Sequence, residues 1–301
     1  MPATPTQQQA RSHYSAQSQI AVAAAAAVAE LLQVRAPMRR VMDTLAAYQL
    51  AGARSAVTAI AAMSGSRRPL IDPRAFAGVS SIGLPASEQI IAVVDAVEPA
   101  PVEELPEPWW TSVVDFITDV ENVVAGQVRD AARSASQAEI VARPEWQNYV
   151  RVLVGPSCPR CVVLAGRVYR DVEEFDRHPP TCDCVMVPVE SWEDAHDAGY
   201  VFSPQEALDR GMIRGLSKAD TDAIRDGADP SKVINARRGM VTAEVLGRRV
   251  KATTEGTTKR AQWRRANPTR RVRLRPEAIY RYAESPEDVL RLLRLYGYLT
   301  T

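Results

Sequence analysis

The chain has 301 residues, 37 Lys and Arg against 36 Asp and Glu, and a formal net charge of +1. Hydrophobic residues make up 46% and charged residues 24% of it, ordinary values for a globular protein that exclude a disulfide mini-protein, a collagen-like chain and a wholly disordered one. Aromatic residues are sparse at 6%, and 21 prolines point to loops or linkers. This length suits two domains, with enough chain for a sizeable core.

The N-terminal segment up to Gln19 is rich in Gln and Ser and lacks the compact basic start of a secretory signal. The long apolar run that follows, Ile20 to Val34, is rich in Ala and interrupted by Glu30. It is shorter than the roughly 20 residues that span a bilayer, so an Ala-rich helix outside any membrane is expected. Helices are expected over Ser15–Arg35 and Met38–Met63, the second ended by Ser64-Gly65-Ser66. Residues 69–87 carry Pro69, Pro73, Gly78, Gly83 and Pro85 and read as a loop. Residues 99–108 form an acidic, Pro-rich connector. A long helix should begin near Trp109. Trp110, Val113, Ile117, Val120, Val124, Val128 and Ala131 recur at spacings of three and four and draw one apolar stripe, suited to packing in a bundle or between subunits.

The charge changes near residue 150. Residues 1–150 hold 11 Arg, no Lys and 15 acidic residues, whereas the remainder is net positive by 5 and holds all four cysteines. Tyr149–Val154, Val162–Tyr169 and Val185–Val189 are short strand candidates. Pro204–Met212 and Ser217–Asp226 read as helices ended by Gly211 and Gly227. Ser285–Leu295 reads as another, with Ser285 as N-cap, Pro286 first in the helix, and Glu287 and Asp288 matching the dipole. The expected class is α+β: a helical N-terminal region followed by a small α+β module. The boundaries run 1–104, 105–150, 151–230 and 231–301.

Cys158-Pro159-Arg160-Cys161 is followed after sixteen residues by His178-Pro179-Pro180-Thr181-Cys182-Asp183-Cys184. Two intervening residues let two thiolates face one metal, and a second cluster can close a tetrahedron around zinc. Five candidates, Cys158, Cys161, His178, Cys182 and Cys184, compete for four places. A filled site of this kind would be structural, holding together short strands that lack a large core. Reduced cysteines simply packed together, or a redox pair at Cys158 and Cys161, are the competing readings.

From Ser231 to Arg275 the chain carries 14 Lys and Arg against Glu244 and Glu255. The candidate binding residues are Arg248, Arg249, Lys259, Arg260, Trp263, Arg264, Arg265, Arg270 and Arg271. Such a stretch suits a phosphate backbone, with the Arg-flanked Trp stacking on a base, or an acidic protein surface. No zinc-finger helix or RNA-recognition octamer is visible, so nucleic-acid contact would be non-specific. No catalytic residues emerge: there are three histidines, and no Gly-x-Ser-x-Gly elbow, Walker loop or His-Glu-x-x-His.

From about residue 105 to 260 the chain resembles the MuF-like minor capsid (head morphogenesis) proteins of tailed bacteriophages, notably those infecting actinobacteria. The resemblance rests on Cys158-Pro159-x-Cys161-x-x-Leu164-Ala165-Gly166 and on His178-Pro179-x-x-Cys182-Asp183-Cys184. It also rests on Ala223-Ile224-Arg225-Asp226-Gly227-Ala228-Asp229 followed by Val233-Ile234-Asn235-Ala236-Arg237-Arg238-Gly239. The family's second motif is usually His-Pro-x-Cys-Arg-Cys. Here one extra residue precedes Cys182, and Asp183 replaces the Arg. The resemblance implies a head-assembly component of the capsid interior, present in the host cytoplasm during assembly and then in the virion; with no catalytic motif in the residues, a non-enzymatic role is expected. Its implied partners are the portal protein and the major capsid or scaffolding protein, with phage DNA bound non-specifically and the N-terminal helices available for self-association. Relatives are often labelled capsid maturation proteases, a label for which no nucleophile–base pair is visible here. A DNA-binding accessory protein of packaging or ejection is the other alternative.

Overall fold

A computed structural model describes residues 3–80, 85–95, 109–173, 175, 182, 184–245 and 248–299. The Pro-rich connector and His178 lie outside the described residues. The chain divides into two compact units, residues 1–157 with 164–202, and residues 158–163 with 203–301.

The first unit is built on three long helices: α1 (Gln7–Gln33), α2 (Met38–Met63) and α4 (Trp109–Val141), with α3 (Ala86–Asp95) beside α4. α1 begins earlier than the Ala-rich run suggests, because Thr6 and Gln9 form a reciprocal capping box. It is long and apolar enough to cross a membrane by length and composition alone. Here its buried residues, from Ala10 through Ala21, Ala24 and Val28, recur at three and four and face α2 and α4. Small side chains allow this closeness. A Cβ on Gly52 of α2 would stand 3.3 Å from both the side chain and the carbonyl of Val128 on α4. Val120, Val124, Val128 and Ala131 of the sequence-derived stripe are all buried. α2 stops at Ser64, and Gly65 takes the left-handed conformation (φ 73°) that closes it.

Two buried polar side chains fix the loop that leaves α2. Gln49 accepts from the Gly78 amide at 2.7 Å and donates to the Val79 carbonyl at 3.0 Å. Glu139, fully buried, accepts from the amides of Leu70 and Ile71 and from Arg143. Trp146 donates to the Ser64 hydroxyl at 2.6 Å. Against the helices lies an antiparallel sheet of order β2-β1-β3, formed by β1 (Asn148–Val152), β2 (Val168–Arg170) and β3 (Val185–Val189).

One expectation is overturned. Val162–Leu164 do not extend a strand but close α5 (Pro159–Leu164). Pro159 supplies a helix-ready first residue, and the Cys158 sulfur accepts the Cys161 amide at 3.4 Å, as an N-cap oxygen would. The β preference of two valines does not outweigh that start, and Cys161 and Val162 are fully buried in the helical form.

The second unit continues after α6 (Trp192–Asp197) of the first. It holds α7 (Pro204–Asp209), α8 (Lys218–Arg225) and α9 (Pro230–Asn235), the antiparallel sheet β4 (Met240–Val245), β5 (Arg248–Thr253) and β6 (Arg273–Leu274), and α10 (Gln262–Ala266), α11 (Pro276–Tyr282) and α12 (Pro286–Leu295). Ser203, Ser217, Asp229 and Ser285 cap α7, α8, α9 and α12, the last as the sequence indicates. The core joins Ile224, Val233, Val250, Leu274, Ile279, Leu293, Tyr296 and Tyr298. The basic stretch is therefore folded chain, comprising a hairpin, a short helix and a third strand.

Candidate metal centre

The sharpest chemistry in the sequence, the cysteines, converges. Cys161, Cys182 and Cys184 are buried, and their sulfurs lie within 4.8 Å of one another. Cys182 and Cys184 are the closest pair, with sulfurs 3.2 Å apart. None of the four cysteines is joined in a disulfide. Around a tetrahedral zinc with bonds of about 2.3 Å, thiolate sulfurs sit roughly 3.8 Å apart, so this trio can hold a soft divalent cation. The structure thus brings both members of the Cys-x-Cys pair inward together, rather than one in place of the other. Cys158 stands outside the three-sulfur group, half-buried at the start of α5, where its sulfur caps the helix.

The surroundings of the trio were not read from the sequence. Tyr149 and Arg151 alternate on β1 and so share a face of the sheet. Tyr149 stacks on Tyr169 with ring centres 5.2 Å apart, and Phe175 closes beside it at 6.0 Å. Arg151, 1% exposed, reaches the Cys184 sulfur at 2.8 Å and the Cys182 sulfur at 3.8 Å. Its guanidinium carbon lies 3.8 Å from the Phe175 ring centre, a cation–π contact. From α4, Arg133 donates to the backbone carbonyls of Cys184 and Cys182 and pairs with Asp130 at 2.9 Å. Burial pulls the Arg133 guanidinium toward neutrality, but the Cys184 and Cys182 sulfurs and Asp130 reverse this and hold its pKa above the ordinary value.

A guanidinium buried against sulfur, as that of Arg151 is, with a second buried cation on the neighbouring carbonyls, is costly beside neutral thiols and favourable beside thiolates. Thiolate is also the form that binds metal. The donor set therefore fits a metal chemically as well as geometrically. One signal of this was present in the sequence: Arg151 interrupts Tyr-Val-Arg-Val-Leu-Val, and a charge inside a buried strand calls for a partner.

The basic candidates separate into classes. Arg249, Lys259, Arg260, Arg265 and Arg271 are exposed. Arg270 is half-buried, with its guanidinium carbon 5.5 Å from the Tyr296 ring centre. Arg248 lies in β5, its side chain outside the described residues. Arg264 corrects the expectation: it is 9% exposed, and its guanidinium closes the following turn through the carbonyls of Asn267, Pro268 and Arg270. Trp263 is likewise engaged, its indole N–H donating to the Leu295 carbonyl at 2.9 Å and its ring beside Tyr296. Of the histidines, His13 is buried in the helical unit, and His196 stacks on Trp192 at 4.9 Å. Among the described residues, neither bonds a Ser, Thr or Cys side chain.

Residues 95–210 match the family model described as VG15 protein, a phage protein family. The matched stretch is under half of the chain and contains α4, the first sheet and both cysteine pairs. No curated protein matches the chain, and no solved structure matches it.

Proposed function

We propose that this protein is a non-enzymatic minor capsid component of the MuF-like kind in a tailed phage. In this reading it acts in head morphogenesis at the inner face of the procapsid, bound to the portal and to scaffolding or major capsid protein. The observation that carries the reading is the likeness of residues 95–210 to a phage family, over the stretch that contains the long helix and the cysteine module. The geometry is consistent with such a role. Three long helices offer extended surfaces for portal or sister subunits. A structural zinc held by Cys161, Cys182 and Cys184, with Arg151 and Arg133 balancing its thiolates, would stiffen a small sheet with little core of its own. A fourth ligand would come from Cys158 or His178.

Mass spectrometry of purified virions, empty heads and procapsids tests the placement. The protein should appear at low copy in procapsids and filled heads. Its absence from heads at every stage overturns the reading.

A further inference from the structure

The second unit carries a groove of about 560 Å³ that the cysteine chemistry does not use. Its walls include Lys232, Asn235, Trp263, Arg273, Arg294 and Gly297. Three of these are cations, and Glu255 is the single carboxylate among the lining residues.

The deepest cation is the most telling. Arg273 is 5% exposed, yet its guanidinium donates only to neutral acceptors, the carbonyls of Tyr296 at 2.8 Å and Glu255 at 3.2 Å. It stands 4.5 Å from the Tyr298 ring centre and 5.9 Å from that of Trp263. Among the described residues it has no carboxylate within 4.0 Å, and Lys232 and Arg294 have none either. Burial pulls the Arg273 pKa down, and the Tyr298 and Glu255 side chains offset this only in part. Two glycines keep backbone, not side chain, against the groove. A Cβ on Gly256 would lie 3.1 Å from the Arg273 guanidinium, and one on Gly297 2.7 Å from the Trp263 ring. Over residues 203–301 the chain carries 21 Lys and Arg against 12 Asp and Glu, so the long-range field favours the same sign of ligand.

A concave site of nucleotide size, with excess positive charge and an indole on its wall, matches a phosphate joined to a flat base. We infer that this groove binds single-stranded DNA, one nucleotide seated beside Trp263 with Lys232 and Arg294 on its flanking phosphates and Arg273 supplying field from below. This goes beyond the head-assembly reading and does not rest on it, since binding in solution and presence in heads are measured separately.

The experiment is fluorescence anisotropy of the full chain with a labelled 12-mer of dT over 50–300 mM salt. The double variant K232A/R294A should bind at least tenfold more weakly and lower the salt slope by about 1.4, roughly 0.7 per phosphate contact removed on a single strand. The control R265A/R271A removes two exposed arginines off the groove and should change affinity less than threefold. Glu255→Gln, which removes the opposing charge, should tighten binding severalfold and remains informative if K232A/R294A does not fold. Several results overturn the assignment: no binding at 50 mM salt, wild-type affinity in K232A/R294A, equal losses in the two double variants, or tighter binding of a 12-base-pair duplex. Displacement of the dT strand by free phosphate or polyglutamate at equal charge concentration overturns it as well.

Discussion

Glu139 offers the most direct test of how the helical unit is held together. Its carboxylate is fully buried near the end of α4 and accepts from four donors: Arg143 Nε at 2.9 Å and Nη2 at 2.6 Å, and the amides of Leu70 at 3.0 Å and Ile71 at 2.9 Å. Arg143 is 4% exposed and also donates to the Arg68 carbonyl at 3.0 Å, so the pair ties the loop after α2 to the end of α4. Glu139→Ala leaves a buried guanidinium with only the longer contact to Glu145, at 3.4 Å, and two amides without an acceptor. Removing one partner of a buried pair costs about 3–5 kcal/mol. Glu139→Gln keeps the shape and one acceptor oxygen, and should cost about 1.5–3 kcal/mol, the worth of charged hydrogen bonds. The double variant Glu139→Met with Arg143→Met removes the orphaned charge and should recover most of the loss. Urea unfolding at 25 °C, followed by the fluorescence of the buried Trp146 beside Ser64, reads this unit locally. A cost below about 1 kcal/mol for Glu139→Ala, or a double variant no more stable than the single, refutes the account.

Three further outcomes are expected. Burial lowers the His13 pKa from 6.5 to about 4, and Arg129, Arg133 and Cys184 line the same small cavity. The unfolded chain takes up this proton below pH 6.5 and the native chain only near 4, so His13 should cost up to about 3 kcal/mol of stability as pH falls through that window. His13→Leu should flatten urea midpoints between pH 7 and 4.5, and an unchanged pH profile counts against the burial argument. Plasma mass spectrometry of the purified protein should find about one zinc per chain, reduced in Cys182→Ser and Cys184→Ser together with thermal stability; a fully folded, metal-free protein removes the metal centre. Gly297 sits at φ 73° with the Trp263 ring where a Cβ would go, so Gly297→Ala should lose about 1–3 kcal/mol in thermal or urea unfolding.

Much of the helical architecture is local and was legible. The 3.6-residue recurrence of Val120, Val124, Val128 and Ala131, and the cap at Ser285, depend on near neighbours in the chain. The two cysteine clusters announced a soft-donor site because thiol chemistry is carried by residue type and spacing. Charge was less informative. Paired arginines look alike in a sequence whether they meet solvent, as Arg265 does, or close a turn from inside, as Arg264 does.

Sequence by itself determined the helix faces, the cap at Ser285 and the spacing within each thiol cluster, since each follows from residues within a turn or two of one another. Only the tertiary structure decided that Cys182 and Cys184 turn inward together, that Arg151 and Arg133 meet them, and that Arg273 is buried in the wall of a groove with no carboxylate among the described residues in ion-pair reach. Those outcomes depend on strands and helices far apart in the chain, where burial and the partner met across a contact set the energy of a charge.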